Sequence, residues 1–238
     1  MELKGAVVIV TGASSGIGAA TAKLAASQGA VVILAARRGD RLRALAAELP
    51  GSSAIPTDMR DPDSISRMVA AVVHKHGRID VLVNNAGQGL HVPLEQVKLD
   101  DLKAITELNF YAPLAAMQAV LPTMRKQGRG AIVNISSGTS RMVLPGVGAY
   151  SATKAALNML SEVARREFAP DGIIVSLVYP SVTNTEFHQS LRAGARVGGW
   201  QGGRVEPQSA ETVAEAVIAI IRSGDSEVVL VPAMVRGE

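Results

Sequence analysis

Short runs of Val, Ile and Ala alternate with longer Ala-rich amphipathic stretches along this 238-residue chain, and that alternation is its strongest constraint. Strands are expected over Ala6–Thr11, Val31–Ala35, Ala54–Thr57, Val81–Asn84, Ala131–Ile135, Ile173–Val178 and Val228–Val231. Helices are expected over 17–28, 40–49, 62–76, 99–127, 150–168 and 209–223. The strand runs are nearly continuous in apolar residues, the pattern of strands covered on both faces. Strand–helix alternation throughout predicts one α/β domain over 1–238, a doubly wound sheet with helices on each side. Gly29, Gly77, Gly128 and Gly172 stand where helices should stop. Pro122 interrupts the 99–127 pattern, so that helix should kink or end nearby. The stretch 187–206 carries five Gly and three Arg without periodicity. Its length suits a substrate lid, or a plain surface loop.

Composition removes several function classes. Apolar residues make up 47% and charged residues 19%, enough for a buried core and unlike a disordered chain. Zero Cys excludes a disulfide scaffold, a thiolate metal site and a Cys nucleophile. Four scattered His offer no ligand set, so no metal is expected. The net charge of +3 is spread along the chain, and three Phe, three Tyr and one Trp give little material for base stacking. No nucleic-acid partner is expected. No apolar run approaches the ~18 residues of a membrane span. The run from Ala6 to Val10 is too short for a secretory signal. These features predict a soluble, cytoplasmic protein.

The first strand runs directly into Thr11-Gly12-Ala13-Ser14-Ser15-Gly16-Ile17-Gly18 and then a helix. A Gly-rich turn at a helix N-terminus presents unpaired N–H groups and the positive end of the helix dipole, which together suit a phosphate. Gly12 permits the tight turn, Gly16 lets backbone approach a pyrophosphate, and Gly18 lets the helix pack closely on the sheet. A plain small-residue turn is the alternative. The second strand ends Ala35-Ala36-Arg37-Arg38, with no acid where a ribose 2′-hydroxyl would be held. Two guanidinium forks suit a 2′-phosphate instead, unless Arg37 and Arg38 are simply solvated. The cofactor expected is NADP(H).

Further motifs follow in order: Asp58 with Met59, Asn84-Asn85-Ala86-Gly87, Asn109, Asn134-Ile135-Ser136-Ser137, Tyr150-Ser151-Ala152-Thr153-Lys154, and Tyr179-Pro180. With the glycine turn, they make the chain resemble a short-chain dehydrogenase/reductase over essentially its whole length. The resemblance implies a Rossmann-like fold with a seven-stranded parallel sheet in the order 3-2-1-4-5-6-7. It also implies a homodimer or homotetramer, held through helices 99–127 and 150–168. Cofactor contacts are implied for Gly12, Ser14, Ser15, Gly16, Ile17, Gly18, Arg37, Arg38, Asp58, Met59, Asn85, Ala86 and Gly87. The resemblance extends them to Tyr150, Lys154, Pro180, Val182 and Thr185.

Tyr150 and Lys154 are four apart, so a helix brings them to one face. A nearby ammonium is expected to stabilise the phenolate and lower the phenol pKa from ~10. Tyr150 would then serve as general acid or base for a carbonyl/alcohol pair. The resemblance makes Ser137 the holder of the substrate oxygen and Asn109 the anchor of a water leading to Lys154. Alone, a Tyr–Lys pair, a strand-end Ser and a buried Asn would each be commonplace.

Ser181 stands where the family commonly has Gly, so backbone there cannot take positive φ cheaply. Arg141–Gly148 with Gln88, Leu90 and His91 is expected to line a mostly apolar mouth for a small carbonyl or alcohol substrate. Two other functions compete with this oxidoreductase reading. A non-catalytic NADP-binding regulator would normally tolerate loss of Tyr150, Lys154 or Ser137, yet all are present. An epimerase or dehydratase relative usually carries a longer substrate region than the chain after Thr185 provides.

Overall fold

The computed structural model describes residues 1–195, 204–231 and 233–235. The chain begins with β1 (Val7–Thr11), α1 (Gly16–Ser27), β2 (Val31–Ala36), α2 (Gly39–Glu48), β3 (Ser53–Pro56), α3 (Pro62–His76) and β4 (Val81–Asn84). It continues with α4 (Leu99–Thr106), α5 (Ala112–Gln127), β5 (Gly130–Ile135), α6 (Gly148–Phe168) and β6 (Ile173–Tyr179). The last elements are β7 (Arg204–Glu206), α7 (Ala210–Ser223), β8 (Glu227–Val229) and β9 (Ala233–Val235).

Seven strands form one parallel sheet in the order β3-β2-β1-β4-β5-β6-β8. This is the expected Rossmann-like topology, with β8 as the seventh strand. The sequence reading missed β7 and β9, which pair antiparallel in a separate two-stranded ladder. Three-residue strands leave too short a pattern to separate from loop.

Successive residues of each strand face opposite sides of the sheet. Val8, Val10, Val32 and Leu34 pack with Ala22, Leu42 and Val217 from α1, α2 and α7. Ile9, Ile33, Leu82 and Ile132 pack with Met68, Met117 and Ala164 from α3, α5 and α6. Both faces are covered, which is why the strand runs lack polar alternation.

The expected 99–127 helix is interrupted without being broken. A π-helical turn over Glu107–Tyr111 joins α4 to α5. Pro122 does not end α5 either. It lies on the exposed face, as does Gln118, so the carbonyl that loses its donor can turn to water. Gly77 and Gly128 close α3 and α5 in the left-handed conformation, with φ of 68° and 64°.

Only part of 187–206 falls within the described residues. Residues 187–195 dock along 89–91, with Arg192 N–H on Gly89 O at 2.8 Å and His91 N–H on Ala193 O at 3.1 Å. Residues 204–206 form β7. The remainder of the expected lid lies outside the described residues. Among those residues, no helix is long and apolar enough to cross a membrane.

Candidate active site

The C-terminal ends of the parallel strands open into a cavity of about 670 Å³. It crosses the switch point where the chain order reverses between β1 and β4, the usual ligand position in doubly wound sheets. Nearly every residue singled out from sequence for cofactor or catalysis lines it. Gly18 and Asn109 are the exceptions among the expected site residues. Both support the wall from behind.

The glycine turn is built for close approach. Gly12 and Gly16 adopt φ of 66° and 54°, which L side chains rarely reach. A β-carbon on Gly18 would stand 2.5 Å from both Gly12 O and Asn85 Nδ2. The Gly18 position therefore locks α1 against the turn and against Asn85, just past the end of β4. Ser15 is the N-cap of α1, yet its side chain makes no capping bond. Its hydroxyl instead accepts from Arg38 at 2.7 Å, and Ser14 Oγ accepts from the same guanidinium at 3.0 Å. The first-turn N–H groups of α1 thus keep no side-chain cap, the state in which a helix N-terminus receives an anion.

Thr11 organises the next segment. Its hydroxyl donates to Val83 O at 3.3 Å and accepts from the N–H groups of Asn85 and Ala86 at 3.0 and 3.1 Å. That pins Asn85–Gly87 beside the glycine turn. Arg37, Asp58 and Met59 line the far end of the cavity. Arg60 bonds the Asp58 carboxylate and holds its pKa below the usual carboxylate value, against the opposing effect of burial. The positive φ angles and bare helix start fit the phosphates of a dinucleotide along the groove.

At the centre of the cavity, Tyr150 and Lys154 lie on α6, 6% and 4% exposed. Lys154 Nζ donates to Ile135 O, the last residue of β5, at 2.8 Å. Ser137 follows two residues later, its Oγ accepting from Thr139 N–H at 3.2 Å. Burial pushes the Tyr150 phenol up to about 12, with the Ser137 hydroxyl pulling the other way. Burial also pushes the Lys154 ammonium down to about 8. The expected lowering of Tyr150 by Lys154 is therefore not what this structure has. Desolvation of the phenolate outweighs the opposing effects on the phenol.

Asn109 sits in the π-helical turn, fully buried. Its Oδ1 accepts from Gln88 N–H and its Nδ2 donates to Gln88 O, both at 2.9 Å, and also to Thr153 Oγ1 at 3.1 Å. It clamps the backbone just past Gly87. A β-carbon on Gly87 would lie 3.2 Å from Asn109 Oδ1 and 3.5 Å from Lys154 Nζ, so both polar atoms border the space that glycine leaves.

The turn after β6 agrees with the reading of Ser181. Ser181 takes no positive φ, so the turn after β6 is made without a left-handed residue. Pro180 O accepts from Gly138 N–H at 2.9 Å, tying this turn to the one bearing Ser137. Pro180 and Val182 line the cavity. Thr185 packs across Gly16, and its hydroxyl accepts from Phe187 N–H at 3.3 Å.

The substrate side differs from expectation in two places. Leu90 is buried behind the cavity wall, in a small cluster with Ile105, Ala149 and Tyr150, and does not line the cavity itself. Of the 141–148 segment only Arg141, Met142 and Leu144 reach the cavity, and Val143 is fully exposed. From the 187–206 stretch Phe187 joins the wall, its ring 5.7 Å from that of Tyr150 and 6.4 Å from His91, which itself lies 5.9 Å from Tyr150.

Sequence reasoning also passed over Asn158, Arg41 and Glu186. Asn158 accepts from Ser136 Oγ at 2.5 Å and donates to Ser140 Oγ at 3.0 Å, fixing the turn around Ser137. It stands eight residues after Tyr150, two helical turns on, a spacing that could have flagged it. Nothing local announces the Arg41–Glu186 pair, which is 145 residues apart in sequence.

A groove over the strand ends of a doubly wound sheet, meeting a buried Tyr–Lys pair, is an arrangement that suits an oxidoreductase. Residues 6–196 match the family model for short chain dehydrogenases. The chain belongs to that family and is an oxidoreductase. An uncharacterised oxidoreductase of Staphylococcus saprophyticus is 38% identical over 189 residues, covering 78% of this chain and 77% of its own. A short-chain dehydrogenase from Streptomyces avermitilis superposes with a TM-score of 0.84 at 33% identity, covering 95% of this chain and 89% of the other. A metagenomic short-chain oxidoreductase, solved in complex with NADP, gives 0.81 at 33% identity, over 98% of this chain and all of the other.

Proposed function

We propose that this protein is an NADP(H)-dependent reductase/dehydrogenase that interconverts a ketone or aldehyde with an alcohol on a small, mostly apolar substrate. The observation that carries the reading is the buried Tyr150–Lys154 face meeting Ser137 midway along a groove that starts at an uncapped glycine turn. Bound there, the cofactor supplies or accepts the hydride.

Each residue has a task. Ser137 holds the substrate oxygen where negative charge develops. Tyr150, held up to about 12, is protonated through the neutral range and donates its proton to that oxygen during reduction. Lys154, with a pKa near 8, is mainly cationic at neutral pH and stabilises the phenolate left behind. Asn109 and Lys154 share a water that returns the proton. Arg37 and Arg38 take the 2′-phosphate, supported by the absence of an acid at Ala36 and by the NADP complex of the metagenomic relative. Thr185 holds the nicotinamide end, and Asp58 with Met59 receives the adenine.

The chain works as one catalytic unit, with 187–206 shaping the substrate entrance. It assembles as a homodimer or homotetramer through α4–α5 and α6, whose Met159 and Val163 are 62% and 44% exposed. It acts in the cytoplasm. The test is an NADPH-oxidation screen over a panel of carbonyl compounds, run beside Tyr150→Phe. No substrate turned over by the wild type but lost in the variant would refute the reading. A monomer by light scattering at micromolar concentration would refute the assembly.

A further inference from the structure

Arg38 spends its whole fork at the lip of the groove. Its Nε and one terminal nitrogen bond Ser14 and Ser15, and the other bonds Glu186 Oε2 at 3.0 Å. Arg41 closes on both oxygens of the same carboxylate at 2.8 Å. Glu186 thus presents an oxyanion to two guanidinium groups beside the phosphate turn, the geometry a phosphate would seek. We propose that Glu186 is a specificity-determining residue: its carboxylate competes with the cofactor's 2′-phosphate for Arg38 and Arg41, and so sets the preference between phosphorylated and unphosphorylated dinucleotides. The inference rests on the dinucleotide reading of the groove.

Three further observations support it. The pair is accessible, with Arg38, Arg41 and Glu186 side chains 45%, 50% and 43% exposed, so an incoming anion can reach and open it. Ser14 and Ser15 hydroxyls both accept from Arg38, which leaves their protons to donate to a phosphate oxygen. Glu186 is also held in place by its neighbour, since Thr185 packs on Gly16 of the turn itself. The carboxylate therefore stays near the arginines after displacement and opposes the phosphate charge.

Calorimetric titration of the full chain with adenosine 2′,5′-bisphosphate and with AMP tests this. In Glu186→Gln the bisphosphate should bind about two- to fivefold tighter with AMP unchanged, the size expected from one half-exposed ion pair. Glu186→Ala, which cannot substitute a neutral hydrogen bond, should move the same way. An unchanged bisphosphate-to-AMP ratio in both variants overturns the proposal. So does equal weakening of both probes, which would make the Glu186–arginine bridge a strap over the groove. Arg38→Ala separates the two levels. If wild type favours the bisphosphate and Arg38→Ala loses that preference while both Glu186 variants match wild type, the competition fails and NADP(H) selection stands. If all four proteins bind the probes without preference, both fall.

Discussion

Lys154 Nζ reaches from α6 to the carbonyl of Ile135 at the end of β5, 2.8 Å away. One hydrogen bond thus joins the helix that carries the phenol to the strand that delivers Ser137. The bond also fixes a cation in a site that disfavours it, since burial drives its pKa from 10.5 down to about 8.

That displacement has a sign in stability. Between about pH 8 and 10.5 the unfolded chain keeps the Lys154 proton while the folded protein has released it, so stability rises with pH there. Below pH 8 both states are protonated and the folded protein carries the full burial penalty. Lys154→Met removes this dependence. The wild-type minus variant unfolding free energy should grow by about 2 kcal/mol between pH 7.5 and 9.5 in urea titrations. A difference that stays flat would mean the amine is solvated.

Tyr150→Phe removes the proposed proton donor and leaves the groove intact. It should retain NADPH binding by fluorescence titration and lower kcat by about 10²–10⁴. Turnover like wild type would remove Tyr150 from the chemistry.

Asn158 bonds Ser136 and Ser140 and does not line the cavity. Asn158→Ala frees the turn that aims the Ser137 hydroxyl. We expect kcat to fall by about 5- to 30-fold, from the loss of one or two such bonds, with NADPH affinity unchanged. Loss of cofactor binding in step with kcat would indicate general damage to α6.

Gly18→Ala drives a methyl group into Gly12 O and the Asn85 amide. The start of α1 must shift, at a cost of about 1–3 kcal/mol in unfolding experiments. The same shift displaces the phosphate turn, so NADPH affinity should drop about tenfold or more. An alanine variant that binds like wild type would mean the turn can relax without cost.

Much of this protein was legible before folding because its signals are local. Strand runs apolar on both faces dictated a covered parallel sheet, and Gly12–Gly18 after β1 dictated a tight turn into a helix start. The four-residue spacing of Tyr150 and Lys154 put them on one helix face by geometry alone. Tertiary structure decided what depends on surroundings or on distant partners. Sequence adjacency of a phenol and an amine suggested a lowered phenol pKa, but the packing around α6 excludes water from both and moves them the opposite way. Leu90 was indistinguishable from a pocket residue until the fold buried it against Ile105. Arg38 and Glu186, 148 residues apart, meet only because parallel strands bring their C-terminal ends to one rim, and no short-range pattern encodes that meeting.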